Sequence, residues 1–131
     1  MEVMDLLLDT HVALWAITDD PELPEKAREA ILSSRNIVWV SAVTVWEITI
    51  KYSLGKKHMP ISGKQALQYF RQAGYRFLAI EPEHAASVQN LPNHHQDPFD
   101  RLLVAQALTE PLRLMTRNAM ISRYNKTIIL I

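Results

Sequence analysis

The sequence predicts an α/β fold with a mostly parallel central sheet. Short apolar runs typical of buried strands alternate with longer segments that have helical spacing, a pattern that indicates β-α-β units. The chain has 131 residues, of which 48% are hydrophobic and 21% charged, the size and composition of one globular domain. Because no repeat or linker interrupts the pattern, we expect a single domain over residues 1–131.

The N-terminal half begins with a strand and continues mainly as helices. Residues 4–8 form a nearly continuous apolar run, as in a strand buried on both faces of a parallel sheet. Asp9-Thr10 can cap the helix that follows, and Asp19-Asp20-Pro21 ends it. Apolar spacing predicts helices over residues 11–17, 24–33, 42–54 and 62–72 and a strand over residues 37–40.

The C-terminal half continues the alternation. Asp97-Pro98 opens a helix that runs to about residue 108. The other expected elements are a helix over residues 82–90 and strands over residues 77–80, 112–115 and 127–131. The three glycines (Gly55, Gly63 and Gly74) are too scattered to form a dinucleotide fingerprint or a P-loop, so phosphate binding by a glycine-rich loop is excluded.

Composition excludes several classes of protein. The absence of cysteine excludes disulfides, cysteine-type zinc sites and thiol nucleophiles. The first residues are acidic, with no Lys or Arg before Lys26, which is the opposite of a signal peptide. The apolar runs are shorter than the ~18 residues of a spanning helix, so we expect a cytoplasmic protein with no membrane partner.

Charge is unevenly distributed, although 14 basic and 14 acidic residues make the net charge zero. No acid interrupts two basic stretches, which are Lys51, Lys56, Lys57, Lys64, Arg71 and Arg76, then Arg113, Arg117, Arg123 and Lys126. These stretches indicate either solvated helix faces or surfaces that hold a polyanion.

Two acids occupy positions that are unusual for solvated side chains. Asp9 directly follows the first strand, at the sheet edge where α/β folds bind ligands, although it could also simply cap the next helix. Glu47 lies on an apolar helical stripe, where an uncompensated charge is costly. Its neighbours on that stripe are Val43, Ile50 and Leu54. The alternative for Glu47 is an exposed i,i+4 ion pair with Lys51.

A third acidic group opens the helix after residue 97. Asp97 fits the N-cap position, and Asp100 fits the first turn, where a negative charge suits the helix dipole. Asp100 also heads a stripe that continues into the core, so we expect it to point across the same edge as Asp9. That stripe is Val104, Ala107 and Leu108. Thr116-Arg117-Asn118 follows the next strand, either as part of a site or as an ordinary turn.

The parallel sheet is expected to bring Asp9, Glu47 and Asp100 to one rim. Carboxylate oxygens suit Mg²⁺ or Mn²⁺, which polarises a phosphodiester and lowers the pKa of a bound water. The histidines predict no competing zinc site, because His94-His95 lack i,i+4 spacing and the others are scattered. Those others are His11, His58 and His84.

Four motifs in order resemble those of PIN-domain nucleases, and most closely the VapC-type toxins of toxin–antitoxin pairs. They are Leu6-Leu-Leu-Asp9-Thr10-His11, Ser41-Ala-Val-Thr-Val-Trp-Glu47-Ile, His94-His-Gln-Asp97-Pro-Phe-Asp100-Arg-Leu-Leu-Val-Ala-Gln-Ala and Thr116-Arg-Asn118. The resemblance covers essentially the whole chain. It implies an α/β/α sandwich with the activity of a magnesium-dependent (or manganese-dependent) endoribonuclease.

The resemblance also implies roles for individual residues. Asp9, Glu47 and Asp100 match the acids that hold metal in the family, and Asp97 matches an additional acid of this subgroup. Thr10, Thr116 and Asn118 would support those acids or orient the substrate. Asn118 departs from the family pattern, because an acid often ends the last motif, and its amide adds no negative charge for a second metal.

The partners implied are an RNA substrate, a second copy of the chain in a homodimer and a small antitoxin that covers the acidic site. Two alternatives stay open at this point. One is a PIN-like RNA-binding or protein-interaction module without catalysis, and the other is a nuclease that acts on DNA.

Overall fold

The structure, a computed structural model, describes residues 3–55 and 59–131, and its described strands form one parallel sheet in the order β3-β2-β1-β4-β5. The strands are β1 (Asp5–Leu8), β2 (Ile37–Ser41), β3 (Arg76–Leu78), β4 (Arg113–Thr116) and β5 (Ile129–Leu130). The helices are α1 (Thr10–Ile17), α2 (Glu25–Leu32), α3 (Ala42–Ser53), α4 (Gly63–Gln72), α5 (Pro82–Ser87), α6 (Pro98–Thr109) and α7 (Ala119–Ser122). The α/β fold with a parallel sheet is thus confirmed.

Two predicted elements differ from the structure, and one helix was not predicted. The helix expected over residues 82–90 is α5 followed by a 3-10 turn, Val88–Asn90, and the last strand is only β5. The unpredicted helix α7 has four residues, too few to show helical periodicity, and is capped by the Asn118 side chain, whose Oδ1 accepts from Met120 N at 2.9 Å.

The core lies on both faces of the sheet, because successive side chains of a strand point to opposite faces. Leu6 and Leu8 pack with α1, α2 and α4, whereas Leu7 packs with α6 and Ile121 of α7. Helix α3 reaches both clusters through Ile48 and Val43. This arrangement is the α/β/α sandwich that the sequence predicted.

The carboxyl edge of the sheet contains the topological switch point. The chain runs outward from β1 through β2 to β3, and then returns to the other side of β1 to form β4. Crevices that bind ligands in open α/β sheets lie at such a point. In the register of β1 and β4, Leu8 pairs with Met115, so Asp9 follows β1 beside Thr116, the last residue of β4. Among the helices of residues 3–55 and 59–131, none is both long and apolar enough to cross a membrane.

Candidate active site

Asp9 is a buried carboxylate at the switch point and is also the N-cap of α1. Its side chain is held on both sides, because Oδ1 accepts from Val12 N at 2.9 Å and Oδ2 accepts from the Thr116 hydroxyl at 2.5 Å. Burial raises the pKa of Asp9, and the hydrogen bonds from Thr116 and Val12 offset part of that effect. The capping role and the edge position expected from the sequence therefore occur in the same residue.

Glu47 is almost completely buried on α3, with 2% of its surface exposed. Its Oε1 accepts from the Thr10 hydroxyl at 2.6 Å, and its Oε2 lies 2.5 Å from Lys51 Nζ. The stripe expected around Glu47 was wrong in part, because Leu54, beyond the last residue of α3, is exposed. Buried neighbours on the same helix instead enclose the carboxylate, and these are Val43, Thr44 and Ile48.

The ammonium group of Lys51 belongs to the acidic site. Burial works against its charged form, but the hydrogen bond and charge of Glu47, followed by the charges of Asp97 and Asp100, raise the pKa of Lys51. The predicted i,i+4 pair does form, but its carboxylate is buried, so Lys51 acts as an internal counter-ion.

Asp97 and Asp100 stand at the start of α6. Asp97 caps the helix by accepting from the backbone N–H groups of Phe99 and Asp100, as the sequence predicted. Burial raises the pKa of Asp100 to about 7, and the charges of Asp97, Glu47 and Asp9, in that order, contribute in the same direction. The carboxylates that follow β1, lie on α3 and cap α6 are therefore close enough for their charges to act on Asp100.

The donor set fits a divalent cation in chemistry and in charge. The side chains offer hard oxygen ligands, and burial, followed by the charges of Asp97, Glu47 and Asp9, raises the pKa of Asp100, so a cation would stabilise its ionised form. In the described part of the chain, no three Asp, Glu or His side chains are close enough together to hold a metal ion without moving. Each oxygen of Asp9 and Glu47 accepts from one donor, which is a hydroxyl, a backbone amide or Lys51, and so keeps a second lone pair that can bind a cation.

The three polar residues expected to support the acids have distinct contacts. Thr10 donates to Glu47, and Thr116 donates to Asp9 while its own oxygen accepts from Asn118 N at 3.0 Å. The Asn118 side chain is exposed and caps α7, so its backbone, rather than its amide oxygen, connects it to the site.

His95 was not predicted to belong to the site, because its spacing from the other histidines fits no zinc motif. Its Nε2 lies 3.4 Å from Asp100 Oδ2, and its Nδ1 lies 2.8 Å from the Tyr124 hydroxyl. Burial is the main cause that lowers the pKa of His95, so the ring is neutral at pH 7. The only sequence signal was its position near the start of the motif that contains Asp97 and Asp100.

The fold and this edge of carboxylates define the class of protein. The family model that the sequence matches is the PIN domain, over residues 6–127. The chain belongs to the PIN-domain family.

Within that family the chain is similar to toxins of toxin–antitoxin pairs. Ribonuclease VapC22 of Mycobacterium tuberculosis (strain ATCC 25618 / H37Rv) is 30% identical over 114 residues, which is 86% of each chain. Among solved structures, VapBC2 from Rickettsia felis bound to a promoter DNA fragment aligns with a TM-score of 0.71 and 19% identity over 98% of both chains. DNA-bound VapBC from Salmonella typhimurium aligns with a TM-score of 0.66 and 18% identity, again over 98% of both chains.

Replacing Lys51 with Met is expected to lower the free energy of unfolding at pH 7 by about 1–3 kcal/mol, because it leaves the buried Glu47 carboxylate without its counter-ion. Urea denaturation without divalent ions measures the effect. Lys64→Met, which removes an exposed lysine from α4, is the control. Equal stability of Lys51→Met and wild type would show that Glu47 does not depend on Lys51.

Proposed function

We propose that this protein is a metal-dependent endoribonuclease and the toxin of a toxin–antitoxin pair, with residues 1–131 acting as a single PIN domain. The observation that carries the proposal is the group of carboxylates at the switch point, which together with burial raises the pKa of Asp100 to about 7. The relationship to Ribonuclease VapC22 supports RNA as the substrate.

Asp9, Glu47 and Asp100 are assigned to hold Mg²⁺ or Mn²⁺, and Asp97 to add negative charge beside them. A cation held there would supply Lewis-acid chemistry for the phosphodiester and would make a water more acidic. The chain itself positions the acids: Thr116 and Val12 fix Asp9, and Thr10 holds one oxygen of Glu47. Glu47 also accepts a hydrogen bond from the Lys51 ammonium group. The positive charge of Lys51 partly balances the negative charge of the site when no cation is bound.

Two basic residues of the described part of the chain lie beside the acidic site or the edge of the sheet that carries it. Lys51 is in the site and Arg117 follows β4 at that edge, and these two are assigned to the phosphate backbone. Arg76 and Arg113 begin their strands and so lie at the opposite edge of the sheet, away from the proposed site. Lys56 and Lys57, together with His58, lie outside the described residues.

The direct test is cleavage of total RNA by purified protein with Mg²⁺ or Mn²⁺, with EDTA and as the Asp100→Ala variant. We expect cleavage that requires the divalent ion and is lost in Asp100→Ala. Activity that persists in this variant would point to a contaminating nuclease. Parallel substrates of single-stranded DNA test the preference for RNA.

One observation favours a second function, a PIN-like RNA-binding or protein-interaction module without catalysis. Asn118 occupies the position at which the last motif of the family often has an acid, and its side chain caps α7. Metal-independent RNA binding without cleavage, measured by fluorescence anisotropy on the same preparations, would support that function instead.

A cognate antitoxin and a second copy of the chain are the proposed protein partners. The structural neighbours include VapBC complexes and FitAB bound to a DNA fragment, which supports an antitoxin partner. Several large apolar side chains are exposed, which supports a surface that a partner covers. These include Trp46, Leu54, Leu32 and Leu130. Light scattering at micromolar concentration distinguishes a dimer from a monomer.

A further inference from the structure

The loop before α6 is held in a defined position by Arg101. The guanidinium Nη1 donates to Pro92 O at 3.0 Å and to the Tyr124 hydroxyl oxygen at 2.9 Å, and it lies 3.4 Å from His95 O. Tyr124 is itself buried in the cluster that contains Leu103 and Ile121. The His95 ring, which packs on Tyr124 with 5.4 Å between centroids, is therefore held by both its backbone and its neighbour.

The hydrogen bonds determine which nitrogen of His95 carries the proton. Arg101 can only donate, so the Tyr124 oxygen accepts from it and the Tyr124 hydroxyl proton is free to donate. The acceptor for that proton among the described residues is His95 Nδ1, at 2.8 Å. Because Nδ1 then accepts, the proton of the neutral ring resides on Nε2.

The Nε2–H group faces the acidic site without a bond of its own. Nε2 is buried and lacks a hydrogen-bond partner in the described part of the chain, yet it lies 3.4 Å from Asp100 Oδ2. A closer approach of about half an ångström, together with a rotation that aligns the N–H group with the carboxylate, brings this pair to the usual length of about 2.9 Å. Hydrogen bonds in active sites often shorten in this way when the ligand binds.

We propose that His95 is a positioning residue of the site, which donates from Nε2 to Asp100 Oδ2 and leaves Asp100 Oδ1 to bind the divalent cation. The inference rests on the proposed function, because it concerns how the assigned ligand Asp100 is oriented. Carboxylates that bind metals are commonly fixed by such outer hydrogen bonds, and losing one typically costs roughly 10–100-fold in metal affinity or activity. Tyr124 and Arg101 act through His95 by fixing its tautomer.

The test compares His95→Phe, which keeps an aromatic ring without a donor, with His95→Gln, which keeps an N–H donor near the position of Nε2. Mn²⁺ affinity is measured by titration calorimetry, and the rate of RNA cleavage is measured at saturating Mn²⁺. We expect His95→Phe to weaken Mn²⁺ binding by about 10-fold or more, and His95→Gln to restore most of that loss.

A matched control and a spectroscopic measurement separate positioning from folding. His94→Phe changes the adjacent ring, which packs on Tyr124 at 4.8 Å, and is expected to leave Mn²⁺ affinity unchanged. In ¹⁵N spectra of the wild type we expect the Nε2–H tautomer of His95, and in Tyr124→Phe we expect loss of that preference.

Three results would overturn the proposal. They are an Nδ1–H tautomer in the wild type, wild-type Mn²⁺ affinity in His95→Phe, and equal losses in folded His95→Phe and His95→Gln. If His95→Phe matches wild type while Asp9→Asn loses both Mn²⁺ affinity and cleavage, only the role of His95 fails. If the wild type neither binds Mn²⁺ nor cleaves RNA, the proposed function itself fails.

Discussion

The Asp9→Asn variant is expected to lose RNA cleavage by at least about 100-fold while keeping its fold. A bound cation contributes several kcal/mol to transition-state stabilisation, and about 1.4 kcal/mol corresponds to a factor of 10 in rate. The fold should survive, because the amide oxygen of the variant can still accept from Val12 N and cap α1. The new amide N–H can donate to the Thr116 oxygen in place of the present bond.

Two measurements check this expectation. The cleavage rate is compared at saturating Mn²⁺, and the increase in melting temperature caused by millimolar Mn²⁺ is compared by calorimetry. Asp5→Asn is the control, because Asp5 lies at the other end of β1 and is exposed. A melting temperature that Mn²⁺ leaves unchanged in the wild type would contradict the assignment of Asp9 as a ligand.

The Asp100→Asn variant is expected to be more stable than wild type at pH 8 in EDTA, with a melting temperature higher by about 3–6 °C. The pKa of Asp100 is raised from 3.8 to about 7 in the folded protein. The folded state therefore binds a proton more tightly than the unfolded state does. This contribution is fully present below pH 3.8 and is lost as pH rises through 7, at a slope of up to about 1.4 kcal/mol per pH unit.

Calorimetric scans between pH 5 and pH 8 in EDTA measure that slope in both proteins, and the slope should be flatter in Asp100→Asn. The control is Glu29→Gln, which removes an exposed carboxylate from α2. Millimolar Mn²⁺ should reverse the order of stability, because the ionised Asp100 of the wild type then gains a cation that the neutral amide of the variant binds more weakly. If the stability of wild type and of Asp100→Asn depended on pH in the same way, a raised pKa of Asp100 would be excluded.

The fold was predictable from local patterns, because the central strands are short apolar runs and α1, α3, α4 and α6 each begin with a capping side chain. Asp9 and Asp97 illustrate the limit of that approach. The sequence offered capping and site membership as alternatives, whereas the structure gives both acids a cap and places both in the environment of Asp100. A cap uses one oxygen of a carboxylate, so the two interpretations were never exclusive.

The parts of the site that could not be predicted depend on contacts between distant elements. Lys51 is recognisable as an i,i+4 partner of Glu47, but its proximity to α6 depends on the packing of α3 against α6. His95 depends on Tyr124, 29 residues further along the chain. Neither a helical nor a strand period encodes such a contact, so spacing alone left His95 in a loop.

The position of β1 in the centre of the sheet has a consequence for the timing of activity during protein synthesis. Asp9 obtains the bond that orients its second oxygen from Thr116, 107 residues later, and one whole edge of β1 is unpaired until β4 arrives. A nascent chain still lacking β4 contains three of the acids assigned to the site, together with Asp97, but has no finished pocket for them. The cleavage proposed for this chain therefore requires that the C-terminal segment has first emerged from the ribosome and docked beside β1.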